Sequence, residues 1–232
     1  MINNEKVSIA EVFSNWAHSL KYEDIPNDVI EKLNIICMDS IGLMVSARNE
    51  DYIKSLLDAL NESGNCSLIG HNRKVNAFNA AIINGTAVHG EDFDDTFEGT
   101  PVHVGAVMVP AMLAVTEAKN LSGKEFLKGL AIGSELICRL ALVAPTAVHR
   151  QGFHPTAIFG AFGASIGIST SLGSKKEQIT SALGIVGSMA SGIIEYLAEG
   201  TSTKRLHPGW AAGCGWQSAN IGKSGFIGPR TV

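Results

Sequence analysis

His89-Gly90-Glu91-Asp92-Phe93-Asp94-Asp95-Thr96, with His103 a short loop later, is the stretch on which the reading of this sequence turns. Five ionisable side chains and a threonine fall within eight residues, at the end of an apolar pattern formed by Ala77, Ala80, Ala81, Ile83, Ala87 and Val88. Those positions recur at helical spacing, which predicts a helix beginning near Val75 and carrying the acids at its end. If the helix persists, His89 shares a face with Asp92, and Asp92 with Asp95 and Thr96. Carboxylates at a helix C-terminus oppose the macrodipole, so mere solvation explains them poorly. A buried carboxylate needs a partner, a proton or a metal, which makes this segment the first candidate site.

Outward from that helix the same period recurs. Ile9, Val12, Phe13, Trp16 and Leu20 line one face of a helix over 7–20. Pro26 opens another that runs to about Ser46 with Val29, Leu33, Ile36, Cys37, Ile41 and Met44 inward. A third spans Tyr52 to Leu60, and Cys66–Gly70 reads as the one strand. Past the acidic stretch, Gly105 to Ala118 is helical, with Pro110 marking a kink or a later start. Ser122 with Glu125, and Ser174 with Glu177, have capping-box spacing and predict helices over 124–143 and 176–194.

Residues 151–174 carry no Asp, Glu, Lys or Arg. Five glycines, His154, Pro155 and several hydroxyls make that run a buried core helix rather than a membrane span, and Gly160, Gly163 and Gly167 invite close backbone contact. A last helix near 208–222 places Ala211, Ala212, Cys214, Gly215 and Ala219 inward. Eight or nine helices without βαβ alternation give an all-α class. The ending, Gly225-Phe226-Ile227-Gly228-Pro229, reads as a turn into another element, so 1–232 is expected to be one helical domain cut from a longer protein.

Composition narrows the partners. Apolar residues make up 45% and aromatics 6%, so the core is built from small side chains that let helices approach closely. A net charge of -4 with no basic stripe argues against nucleic acid. The four cysteines, Cys37, Cys66, Cys138 and Cys214, form no metal-ligand pair and fit free thiols. Met1–Lys6 lacks a leader pattern, so the expected location is cytoplasmic, with no membrane partner.

Several separated motifs then occur in one order: Asn84-Gly85-Thr86-Ala87-Val88-His89, Asp92-Phe93-Asp94-Asp95-Thr96, His103, Gly152-Phe153-His154, and Lys204-Arg205-Leu206-His207-Pro208-Gly209-Trp210. Together with Asp39-Ser40-Ile41-Gly42 they resemble the MmgE/PrpD family, whose members include 2-methylcitrate dehydratase, cis-aconitate decarboxylase and iminodisuccinate epimerase. The resemblance implies a helical domain plus a smaller α+β lid, a homodimer, and a lyase acting on a small di- or tricarboxylic acid without metal or cofactor. It carries Asp92, Thr96, His103, His154 and Lys204 over as site residues. The loop before His103 departs from the family's commoner His-Pro form.

Charge develops beside a carboxylate when a proton or CO2 leaves, and the site must stabilise it. The expected roles are therefore Lys204, His154 and His207 on substrate carboxylates and Thr96 hydrogen-bonded to substrate. His103 moves the proton while Asp92 orients it, and the reverse assignment of Asp92 and His103 fits equally well. Two other readings stand beside this one. Asp94, Asp95 and Glu98 form a DDxxE pattern that could hold Mg2+ for diphosphate chemistry. Alternatively, the chain is a helical dimerisation module with no turnover of its own.

Overall fold

Small side chains set how closely the helices of this chain approach. The computed structural model describes residues 7–232, so Met1–Lys6, the segment inspected for a leader, lies outside them. The expected all-α class holds: the described residues form eleven α-helices and one two-stranded sheet. In order come α1 (Ile9–Ser19), α2 (Asn27–Ser46), α3 (Asp51–Ala59), β1 (Ser63–Ser67) and β2 (Lys74–Val75). Then follow α4 (Ala77–His89), α5 (Gly105–Lys119), α6 (Gly123–Val143), α7 (Ala147–Arg150), α8 (Pro155–Ser171), α9 (Lys176–Gly187), α10 (Tyr196–Glu199) and α11 (Thr203–Lys223).

The uncharged run is α8, buried along nearly its whole length against α5, α6, α9 and α11. Among the described residues no helix is long and apolar enough to cross a membrane. The expected glycine contact is present, since a Cβ on Gly163 or on Gly167 would stand 2.7 Å from the carbonyl oxygen of Gly133 or Gly129 on α6. A second close approach decides the site: a Cβ on Gly85 of α4 would lie 2.6 Å from the Cα of Gly209 on α11. The end of α4 and the start of α11 are thereby drawn together.

Several elements differ from expectation for identifiable reasons. The strand is half of a hairpin, in which Ser67 pairs with Lys74 and Cys66 with Val75. Ser122 does cap α6, its Oγ accepting from the N–H of Glu125 at 3.3 Å. Ser174 does not cap α9, because its N–H bonds the Ser169 carbonyl after a left-handed Gly173 and so closes α8 instead. α9 then starts after Lys175 and stops at Gly187 rather than 194. Residues 192–194 are drawn off as extended chain: Gly192 accepts from the His154 N–H, and the Ile194 N–H donates to Gly152.

Other departures concern faces and bounds. Pro110 neither ends nor starts α5, whose buried surroundings hold the helix through the missing hydrogen bond. Ile9 and Val12 face outward, 70% and 55% exposed, while Ala10, Ser14 and Ala17 take the inner side of α1. On α2, Leu33 and Met44 are buried as expected, but Val29 and Ile41 are exposed. α11 begins at Thr203, five residues before the expected 208.

Gly209→Ala is expected to destabilise the chain by about 1–3 kcal/mol, because its methyl would run into the Ile82 carbonyl of α4. For a chain of this size that corresponds to a fall in Tm of roughly 2–4 °C per kcal/mol. An unchanged Tm in thermal unfolding would show that the two backbones have room to spare.

Candidate active site

The site begins where α4 ends. Arg205 of α11 donates from Nε to the Gly90 carbonyl at 2.7 Å, supplying a donor and a positive charge to a helix C-terminus that favours both. The N–H of Asp92 bonds the His89 carbonyl, and Asp92 itself takes a left-handed backbone, φ +59°. Aspartate tolerates that conformation better than most residues. The expected helical spacing through Asp95 and Thr96 is therefore broken, and the chain reverses. Phe93 is thrown outward, 82% exposed, while Asp94 turns inside with its side chain fully buried.

His89 consequently meets Asp94 rather than Asp92, with Nδ1 2.9 Å from Oδ2. An ionised carboxylate only accepts, so His89 donates. His103, in the loop ahead of α5, is anchored through its main-chain N–H to the Thr156 hydroxyl at the start of α8, 3.2 Å away. Its Nδ1 lies 3.4 Å from Asp94 Oδ2 and 3.4 Å from Thr96 Oγ1. Asp92 meanwhile pairs with Lys204, Oδ1 to Nζ 2.6 Å. Lys204 stands inside the first turn of α11, a correction to its expected place ahead of the helix.

His154 is the residue that precedes α8, and its buried ring lies 5.6 Å from that of His89. Its Nδ1 is 3.2 Å from Nδ1 of His207, so one of the two imidazoles donates and the other accepts. Tyr196 of α10 packs edge-on against both rings. All six residues singled out from the sequence, Asp92, Thr96, His103, His154, Lys204 and His207, thus fall into one contiguous polar cluster. His89, Asp94 and Tyr196 join them. The first two lie within the decisive stretch, where continued helical spacing pairs His89 with Asp92 and does not show that Asp94 meets it. Nothing in the sequence around Tyr196 pointed to the site.

Burial acts oppositely on the titratable groups. For Asp94 burial disfavours the charge, but hydrogen bonds from His103 and His89 outweigh it and hold the carboxyl well below the usual range. Burial would depress His103 too, yet the hydrogen bond and charge of Asp94 prevail and raise it. Asp92 is held low because Lys204 outweighs its partial burial. Among the described residues His154 and His207 have no carboxylate partner. Burial, reinforced by neighbouring imidazoles, pushes them down to about 2 and about 4, which keeps both neutral near pH 7. All four cysteines are free, and burial lifts their thiols to between about 11 and about 12.

His89, Asp92, Asp94 and His103 offer ligand atoms within 4.8 Å of one another, close enough to surround a cation. The interactions drawn there are those of a hydrogen-bonded cluster, because the Lys204 ammonium already sits on Asp92 and two imidazoles on Asp94. The DDxxE set does not converge. Asp95 accepts from the Gly105 N–H at the head of α5, 2.8 Å, and Glu98 is exposed.

The profile of the MmgE/PrpD N-terminal domain matches residues 11–232. The chain belongs to the MmgE/PrpD family. Among curated relatives, a cis-aconitate decarboxylase-like protein of Aspergillus oryzae is 30% identical over 94% of this chain and 47% of its own length. Cis-aconitate decarboxylase of Aspergillus terreus is 26% identical over 99% of the chain and 49% of its own. That of Mus musculus is 30% identical over 97% and 47%. The chain spans about half the length of the curated MmgE/PrpD relatives it matches.

The neutral histidines predict a pH dependence. In the unfolded chain both take up a proton near their ordinary value of 6.5, whereas folded they refuse it until about 2 and about 4. Their contribution to stability is therefore complete above about pH 6.5 and is lost as pH falls toward the folded values, by up to about 1.4 kcal/mol per pH unit for each proton. Urea unfolding at pH 7, 6 and 5 should show His207→Asn losing less stability on acidification than the parent chain. Parallel losses would contradict the assignment.

Proposed function

We propose that this site belongs to a lyase acting on a small di- or tricarboxylic acid, through proton transfer at the carbon beside a carboxylate. The observation that carries the reading is the join between two pairs: Asp92 with Lys204, and Asp94 with His103. The first presents an ammonium whose partner is 56% exposed and can be displaced. The second presents an imidazole fixed by a carboxylate that cannot leave.

In this reading a substrate carboxylate exchanges with Asp92 on Lys204, and whichever of neutral His154 and His207 accepts at Nδ1 within their pair donates its Nε2–H to a second carboxylate. Thr96 hydrogen-bonds the substrate beside His103. For decarboxylation, the electrons of the breaking carbon–carbon bond pass to the carbon as CO2 departs, and His103 delivers the proton that quenches it. For dehydration, His103 removes the proton next to the carboxylate and returns it to the hydroxyl, which leaves as water with the electrons of the carbon–oxygen bond while the carbanion pair forms the double bond. Both routes pass through a carbanion-like state whose charge Lys204 and the remaining imidazole N–H offset. The names of the curated relatives favour decarboxylation of cis-aconitate within this class. A homodimer in the cytoplasm, with an α+β lid closing the substrate over the helical domain, belongs to the same proposal.

The test is turnover by the product of the whole reading frame on cis-aconitate, 2-methylcitrate and related acids, following CO2 and the change in unsaturation. One acid should be consumed. His103→Ala should lower kcat by about 100-fold to 10,000-fold, and Lys204→Ala should act mainly through KM. His103→Ala with full turnover would remove the mechanism.

A further inference from the structure

Asp94 enters the assignment above only as the carboxylate beside His103 and His89 not at all, yet they are the most deeply enclosed polar pair of the cluster, both side chains being fully buried. Burying an acid and a base together is costly unless the geometry is specific. Here a single oxygen, Asp94 Oδ2, faces two imidazoles, with His89 Nδ1 at 2.9 Å and His103 Nδ1 at 3.4 Å. His89 closes α4 and its ring packs 4.7 Å from the His103 ring and 5.6 Å from that of His154. Asp94 Oδ1 and His89 Nε2 are buried without hydrogen-bond partners among the described residues. The pair is therefore directed at His103 through that one shared oxygen.

Asp92, the acid first expected to orient His103, is committed to Lys204 at 2.6 Å. The carboxylate beside the His103 ring is Asp94.

We propose that Asp94, steadied by His89, is a positioning residue that fixes His103 as its Nδ1–H tautomer and leaves Nε2 as the nitrogen that exchanges a proton with substrate. A carboxylate can only accept, so it selects the tautomer with hydrogen on the facing nitrogen. His89 donates to the same oxygen from the opposite side, which stops the carboxylate rotating toward Thr96 or solvent. Thr96 Oγ1, 3.4 Å from the same His103 nitrogen, accepts from it in that tautomer, which leaves the hydroxyl hydrogen free to be donated to the substrate. The role assigned to Nε2 rests on reading His103 as the proton carrier; the tautomer itself does not.

Nitrogen-15 NMR of the imidazoles in the whole protein, at a pH where His103 is neutral, reads the tautomer directly. His103 should appear protonated at Nδ1 in the parent protein. Asp94→Asn offers an amide that can donate to Nδ1, so His103 should move toward the Nε2–H form. kcat should fall on the order of 100-fold to 10,000-fold with KM changed less than about threefold. The limb of the pH profile assigned to His103 should shift to lower pH, because a nearby negative charge has gone. His89→Gln, which keeps a donor at that position, should retain most of kcat.

His103 carrying its proton at Nε2 in the parent protein would overturn the proposal, and that measurement needs no folded variant. A folded Asp94→Asn protein with unchanged tautomer and kcat would overturn it as well. If no acid is turned over while the Nδ1–H tautomer is found and depends on Asp94, the lyase reading has failed and the positioning assignment stands.

Discussion

A carboxylate withdrawn from water at the end of α4 must have its charge answered by groups that the fold brings to it. Asp94 meets that demand with two imidazoles, one from the last residue of α4 and one from the loop ahead of α5. Each is fixed by something further away. His89 is set by a helix held against α11 at Gly85 and Gly209, where any larger residue would drive the backbones apart. His103 is set by the Thr156 hydroxyl on α8. A displacement of either helix leaves a buried charge underpaired, which costs several kcal/mol. The packing of small residues and the electrostatics of the cluster are thus one constraint.

That constraint sorts the imidazoles. His103 and His154 both lie against His89, within a few ångströms, yet burial ends with opposite results for them. The difference is the carboxylate: His103 touches Asp94, while His154 touches the equally neutral His207. One side of the cluster therefore holds a proton more readily than a free imidazole does, and the other can only donate or accept hydrogen bonds. An anionic ligand needs both behaviours, and a uniform set of histidines would not supply them.

Periodicity made the class legible, and motif order named six residues that the fold gathers into one polar cluster. Alanine and glycine at helical spacing in 77–88 and 155–171 predicted buried, closely packed helices, and α4 and α8 are such helices. The internal geometry of the site was not legible. A pattern of apolar residues cannot say that Asp92 takes a positive φ, since that depends on Lys204, 112 residues away, waiting for its side chain. One reversed residue moved every acid after it to another face. Ser174 failed for a similar reason: the same N–H could open α9 or close α8, and the left-handed Gly173 decided for the latter. On α1, Ala10, Ser14 and Ala17 form the inner face with the expected Phe13, Trp16 and Leu20 packed beside it, while Ile9 and Val12 turn to solvent.

The two aspartates that flank Phe93 show how such a reversal divides labour. Asp92 is more than half exposed, so its pair with Lys204 is worth at most about 1 kcal/mol in water-like surroundings. A second carboxylate arriving from solution loses little by replacing it. Asp94 is two residues on and shut away, so replacing it would mean carrying a hydrated anion into the core and leaving two imidazoles to re-pair. Exchangeable and permanent carboxylates within one turn of chain are what a site needs if it is to bind an acid and still hold its own histidine still. The left-handed Asp92 stands between the two, where the chain leaves α4 and turns so that Asp94 reaches His89 at the end of that helix.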